Sequence, residues 1–231
     1  MNLLQNMKVL SDDEMYLIHM RVMETLEQIG IMVEEEASLK VLEQNGAKIN
    51  YDTKRAYLPP ELIQHCLTVK GHSFTLYDSF GKRSTPMGGN VVNYAPLGYS
   101  TTYVDTDGVC KPGTYDALLR ESKYVDVIDE VNTMHPSIQP CDKPAPLQDM
   151  YMVKAMLVGT RKPIHCVANS EKTAEGIIRL HAEVAGGLDN IIKKPRHMFN
   201  LCTFSPLGIR KDCCEVIRQA AEAAGLPADR V

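Results

Sequence analysis

Tryptophan is absent from this 231-residue chain, and phenylalanine occurs only 4 times against 10 tyrosines. Aromatic surface therefore comes mostly with a hydroxyl attached. The 7 cysteines are an odd number and make no Cys-x-x-Cys pair; Cys213 and Cys214 are adjacent, a poor arrangement for two tetrahedral metal ligands. This excludes zinc-ribbon spacing and a disulfide scaffold, and it predicts reduced, mostly buried thiols in a cytoplasmic protein. There is no Asn-x-Ser/Thr sequon. No run approaches the roughly 20 apolar residues that span a membrane. Met1–Lys8 lacks the charged segment and apolar core of a signal peptide. The phosphate loop, the dinucleotide fingerprint G-x-G-x-x-G and the nucleophile elbow G-x-S-x-G are all missing. No carboxylate pair is placed for glycosidase chemistry. With 25 Lys+Arg against 29 Asp+Glu the formal charge is −4, which argues against nucleic acid as the partner. The longest basic stretch, Lys193-Lys194-Pro195-Arg196, reads as a solvated loop leading into a strand.

What is present is the composition of a globular protein: 44% hydrophobic and 23% charged residues exclude disorder. Ser11 and Glu14 form a capping box. Met15, Ile18, Val22, Leu26 and Ile29 then recur at helical spacing up to Gly30. A second helix is expected over 35–44 with Leu39 and Leu42 inward, a strand over 48–51, and a third helix from Pro59-Pro60 to Leu67. Residues 73–112 read as a small antiparallel β region leading into a barrel. Its strands are expected at 74–78, 91–94 and 100–105, with turns at Gly81 and Asp107-Gly108. From 113 the pattern is regular. Helices at 114–124, 146–158, 171–185 and 210–224 alternate with strands starting near 129, 163 and 196, a spacing of about 33–34 residues that matches βα units. The expected fold is α/β, a partial (β/α)8 TIM barrel over 113–231 behind a helical region over 1–72. His135-Pro136, Asn169-Ser170 and Thr203–Pro206 follow the strands at the end where barrels carry their chemistry.

The candidate residues are few. His135 closes one strand, and His165 lies inside the next. A histidine pair suits acid–base work or metal ligation, although no H-x-H or H-E-x-x-H spacing supports the latter; a polar pocket and a structural hydrogen-bonding role are the other readings. Asn169 and Asn200 accompany the strands although asparagine is a poor strand former. They either read a substrate's polar group or, for Asn169-Ser170, cap the next helix. Tyr94, Tyr99 and Tyr103 fall within ten residues, near Gly88-Gly89 and Gly98. They form either a cage for an alkylammonium cation or ordinary half-buried sheet tyrosines.

In order along the chain, Glu24–Ile31, Leu42–Ile49, Leu58–Ile63, Phe74–Asp78, Gly88-Gly89, Asp105–Gly108 and the helix start Pro112–Asp116 resemble the trimethylamine methyltransferase family. The resemblance runs through the whole chain. It rests on the order and spacing of loose motifs. It implies a (β/α)8-barrel methyltransferase that moves a methyl group from a methylamine or quaternary amine to the cobalt of a separate corrinoid protein. No cofactor would be bound tightly; the corrinoid (cobalamin) would be presented by that partner. A quaternary ammonium has no N–H, so aromatic faces and shape must recognise it. Tyr94, Tyr99 and Tyr103 would then line the cation site. His135, His165, Asn169 and Asn200 would meet the substrate's other end or the corrinoid. Founding members carry pyrrolysine in a later part of the barrel, and most relatives lack it, so the particular amine does not carry over. A homo-oligomer is left open, as are a small-amine-binding relative without turnover, an inactive fragment and another barrel lyase or isomerase.

Length sharpens that reading. A complete (β/α)8 barrel takes roughly 250 residues by itself, and the regular array here starts only after about 110. The expectation is therefore the first part of a barrel, with Gly225–Val231 ending a helix and approaching a further strand.

Overall fold

The computed structural model describes residues 8–69, 71, 73–96 and 98–225; Met1 to Met7 and the expected approach to a further strand at 226–231 lie outside the described residues. Ser11 caps helix α1 (Asp12–Gln28). Its hydroxyl accepts the Glu14 N–H at 3.2 Å, and Glu14 Oε2 accepts the Ser11 N–H at 2.8 Å. The expected stripe is not the covered face: Met15, Ile18, Val22 and Ile29 are 46–54% exposed, and Met23 is the buried residue. Helical spacing defines a stripe, but neighbouring elements decide which arc is covered. Gly30 turns the chain at φ +71°, where a Cβ would lie 2.4 Å from the Ala56 carbonyl oxygen, so glycine is required.

Short elements follow: β1 (Ile31–Val33), α2 (Glu36–Gln44), β2 (Lys48–Asn50), β3 (Arg55–Tyr57) and α3 (Pro60–Val69). β3 pairs antiparallel with β1 on one side and β2 on the other. Leu39 of α2 is buried against Val33 and Ala56, with Leu42 packed beside it, as its spacing predicts.

A hairpin of β4 (Ser73–Tyr77) and β5 (Ser84–Gly88) comes next. Asp78 Oδ1 holds its turn by accepting the Phe80 and Lys82 N–H groups at 3.1 and 2.8 Å. The strand expected at 91–94 shrinks to one parallel bridge between Tyr94 and Val131. The Asp107-Gly108 turn closes a second hairpin of β6 (Thr102–Val104) and β7 (Cys110–Pro112).

The remaining elements are α4 (Tyr115–Val127), α5 (Gln148–Gly159), β8 (Ile164–Cys166), α6 (Glu171–Ala185), α7 (Leu188–Lys193), β9 (His197–Phe199), β10 (Gly208–Ile209) and α8 (Lys211–Ala223). The expected strand at 129–134 survives as bridges at Val131 and Met134. Met134 pairs parallel with Ile164, and β8 pairs parallel with β9. Tyr94, 131–134, β8 and β9 are thus successive parallel neighbours, separated by α4, α5 and α6 in sequence. Leu118, Met134, Val153, Met156, Ile164 and Ile177 form the core between strands and helices. No described helix is long and apolar enough to cross a membrane.

The described residues divide into two compact units, one drawn from Met1–His72 and Cys202–Cys214, the other from Ser73–Leu201 and Glu215–Ala228. In the first, β10 adds parallel to β1, giving the order β10-β1-β3-β2.

Within the second unit, His181 of α6 is fully buried and stacks on His197 with centroids 4.0 Å apart. His181 Nε2 lies 3.4 Å from Cys166 Sγ, and neither Nδ1 has a hydrogen-bond partner. Burial pushes both rings well below the ordinary histidine range, His197 to about 4. The neutral forms are thus favoured by folding, so this stability is present above pH 6.5 and lost as pH falls. For His197 alone the loss is up to about 3 kcal/mol between pH 6.5 and 4. Urea unfolding at pH 7 and pH 4.5 should show this fall. H197F should reduce it by the His197 share, leaving that of His181, with stability at pH 7 within about 1 kcal/mol of wild type.

Candidate functional site

Four backbone hydrogen bonds set the site. Met134 N–H donates to the Pro163 carbonyl at 2.8 Å, His165 N–H to Met134 at 2.8 Å, Ile164 N–H to Arg196 at 2.9 Å, and Asn200 N–H to Cys166 at 2.8 Å. Side chains alternate across strands. This register turns Met134, Ile164 and Cys166 into the core. Thr133, His135, His165 and Asn200 then share the opposite face. A one-residue slip would exchange the two sets.

On that face the side chains meet. His165 Nε2 lies 3.0 Å from Thr133 Oγ1, and Asn200 Nδ2 lies 3.3 Å from His165 Nδ1. With the Asn200 amide donating, Nδ1 accepts and Nε2 carries the proton toward Thr133. The rings of His135 and His165 meet edge to face at 5.7 Å. His135 Nδ1 is buried and makes no hydrogen bond. Burial lowers the pKa of His135, against a weaker opposing effect of the Pro136 backbone. Burial, and then the nearby His135, lowers that of His165. Both imidazoles are neutral at pH 7. Among the described residues no three His, Cys, Asp or Glu side chains gather as a metal site.

The other predicted residues stand apart from this cluster. The Asn169 side chain is exposed, and its backbone N–H donates to Asp149 Oδ2 at 2.9 Å. Asp149 is fully buried at the start of α5. The cap of α6 is Ser170, paired reciprocally with Thr173. Tyr94 is 63% exposed, with its N–H donated to Asn132 Oδ1 at 2.9 Å. Tyr99 packs on the core at φ +107°. Tyr103 also packs there, and its hydroxyl accepts from Arg120 at 3.1 Å.

Glu121 was not among the predicted residues. It accepts a short hydrogen bond from the Ser137 hydroxyl, its other oxygen is buried without a partner, and burial raises its pKa. Ser137 belongs to the segment just after His135, and its carbonyl accepts the Tyr99 and Ser100 N–H groups. The signal lay in α4, where Leu118, Glu121 and Val125 recur on one helical arc.

A family model described as trimethylamine methyltransferase (MTTB) matches residues 1–227. The chain belongs to the trimethylamine methyltransferase family. Trimethylamine methyltransferase MttB of Desulfitobacterium hafniense is 25% identical over 94% of this chain and 44% of its own length. A glycine betaine methyltransferase of the same species is 26% identical over 96% of this chain and 46% of its own. Trimethylamine methyltransferase MttB of Methanosarcina thermophila is 22% identical over 96% and 47%. The chain thus spans less than half the length of these family members.

The coupling between the two histidines is measurable. In a ring-proton NMR titration both should titrate below pH 6.5, the ordinary histidine value. H135Q should raise the His165 midpoint, because the like charge beside it is gone. An unmoved midpoint would show that the rings do not sense each other.

Proposed function

We propose that this chain contributes the first part of a (β/α)8-barrel methyltransferase, with Tyr94, 131–134, β8 and β9 as consecutive barrel strands. Its substrate would be a methylated amine, a methylamine or a betaine-like quaternary amine. The methyl acceptor would be the cobalt of a corrinoid protein, and that partner supplies the nucleophile. The observation that carries this reading is the cluster of His135, His165, Asn200 and Thr133, which is polar, hydrogen-bonded and uncharged, in a chain of this family.

Neutrality is the relevant property. A quaternary ammonium brings one positive charge and no hydrogen-bond donor at its head. An imidazolium beside it would repel it, whereas burial keeps both imidazoles neutral. The chain's residues would then bind and orient the substrate and exclude water, with no proton transfer required of them. His135 Nδ1 and the Asn200 amide are suited to a carbonyl or carboxylate at the substrate's other end, or to the edge of a corrinoid. Tyr99 and Tyr103 offer aromatic faces beside the same core. Tyr94, being exposed, is suited to the rim.

The test combines binding and turnover. Calorimetric titration with trimethylamine, glycine betaine and proline betaine should find at least one that binds. H165A and N200A should each weaken it by about tenfold, the loss of one half-buried hydrogen-bonding partner. Binding should also weaken as pH falls below the ordinary histidine value of 6.5 and the imidazoles charge. Incubation of the full-length gene product, beside this chain, with the binding amine and reduced corrinoid protein should methylate cobalt. A panel without binding or cobalt methylation would overturn the reading.

A further inference from the structure

The basic stretch Lys193-Lys194-Pro195-Arg196 has no part in the site above. Arg196 immediately precedes β9, whereas Asn200 immediately follows it, so the two lie about 13 Å apart along the strand. Around Arg196, residues 78–81, Ala185, Asn190, Lys193 and Lys194 line an open cleft of about 320 Å³. All of it belongs to the second unit.

Arg196 is only 7% exposed. A guanidinium carries five donors. Among the described residues this one makes a single hydrogen bond, from NH1 to the Ser79 carbonyl at 2.7 Å. It has no ion pair there. Asp78 is the carboxylate of the cleft, and its Oδ1 is already occupied by the Phe80 and Lys82 N–H groups. Its Nε and Nη2 are not among the polar atoms fully enclosed without a partner, so these donors are open to a solute entering the cleft. Lys194 lines the same cleft, anchored by Nζ to the Gly81 carbonyl at 2.9 Å and resting over the Tyr77 ring. Lys193 lines it too and is exposed, with no hydrogen bond from its side chain among the described residues.

We propose that this cleft is an oxyanion-binding site for a phosphate group, held by the Arg196 guanidinium with Lys193 and Lys194. The charge balance favours a dianion. Three cations less Asp78 leave a net charge of +2 in the lining, which a phosphate dianion neutralises and a carboxylate only halves. The planar guanidinium supplies paired donors suited to such oxygens. The site does not depend on the methyl-transfer reading, because no residue is shared with it.

The test is calorimetric titration of the intact protein with inorganic phosphate at fixed ionic strength, with chloride as control and acetate and glycerol 3-phosphate as further arms. Saturable phosphate binding is expected, with acetate weaker. K193A/K194A should weaken phosphate by about tenfold or more, since hydrogen bonds to charged groups contribute most; its melting transition is measured alongside, because Lys194 also contacts the Gly81 carbonyl and the Tyr77 ring. R196Q should abolish it. Should R196Q fail to fold, the double lysine variant decides alone. Tighter binding of glycerol 3-phosphate names a phosphorylated small molecule as the ligand, equal binding names free phosphate, and both uphold the site. No saturable phosphate binding, or equal affinity in wild type and K193A/K194A, overturns it.

Discussion

The register of β8 between its two neighbours is the constraint from which the second unit's site follows. The N–H groups of Met134, Ile164, His165 and Asn200 each find a carbonyl on an adjacent segment. Those bonds carry no chemical specificity themselves. What they determine is parity. They send Met134, Ile164 and Cys166 to the helices and leave Thr133, His135, His165 and Asn200 on one polar face. The core reinforces the choice, because a slip would bring His165 into the apolar layer and leave Ile164 outside it. Packing therefore holds the polar cluster on its own face.

Burial then decides the charge state of that cluster. A histidine in water titrates near neutrality. Here desolvation is the leading influence on His135, His165, His181 and His197, and it lowers all four. The two pairs use this differently. His181 and His197 stack within the layer of α6 and β9, and His181 bonds to the thiol of Cys166, where neutrality is a matter of packing. His165 keeps its ring nitrogens for Thr133 and Asn200, while His135 Nδ1 is left without a hydrogen-bond partner.

Much of this was legible in the sequence. The Ser11–Glu14 spacing is enough to start α1, because both partners are local. Asn169-Ser170 likewise marks the start of α6, with Ser170 as its cap, and the 33–34-residue spacing anticipated the order of β8 and β9. His135 was anticipated at a strand end and His165 and Asn200 in the following strands, but not their contacts, since their meeting depends on register between segments far apart in sequence. β1 and β10 were not seen. Three and two residues long, they are strands only through each other and β3. Val91–Tyr94 has the β-branched and aromatic residues of a strand but finds a single bridge. That outcome is typical of β propensity, which acts through the neighbours available. The apolar spacing of α1 was visible, but not the arc that Met23 covers.

β9 also shows why burial alone does not determine function. The strand is three residues long, yet the residues flanking it are opposite in character. Asn200 after it is neutral and joined to a neutral imidazole. Arg196 before it is a buried guanidinium tied by one hydrogen bond to the Ser79 carbonyl. A buried neutral amide is satisfied by one or two partners, whereas a buried cation calls for opposite charge as well as hydrogen bonds. Asp78 supplies part of that charge, and it is shared with the turn it holds. The neutral end is therefore suited to a ligand that brings positive charge, and the cationic end to one that brings negative charge. With both ends fixed by the same backbone bonds, the two preferences coexist on one short strand without sharing a side chain.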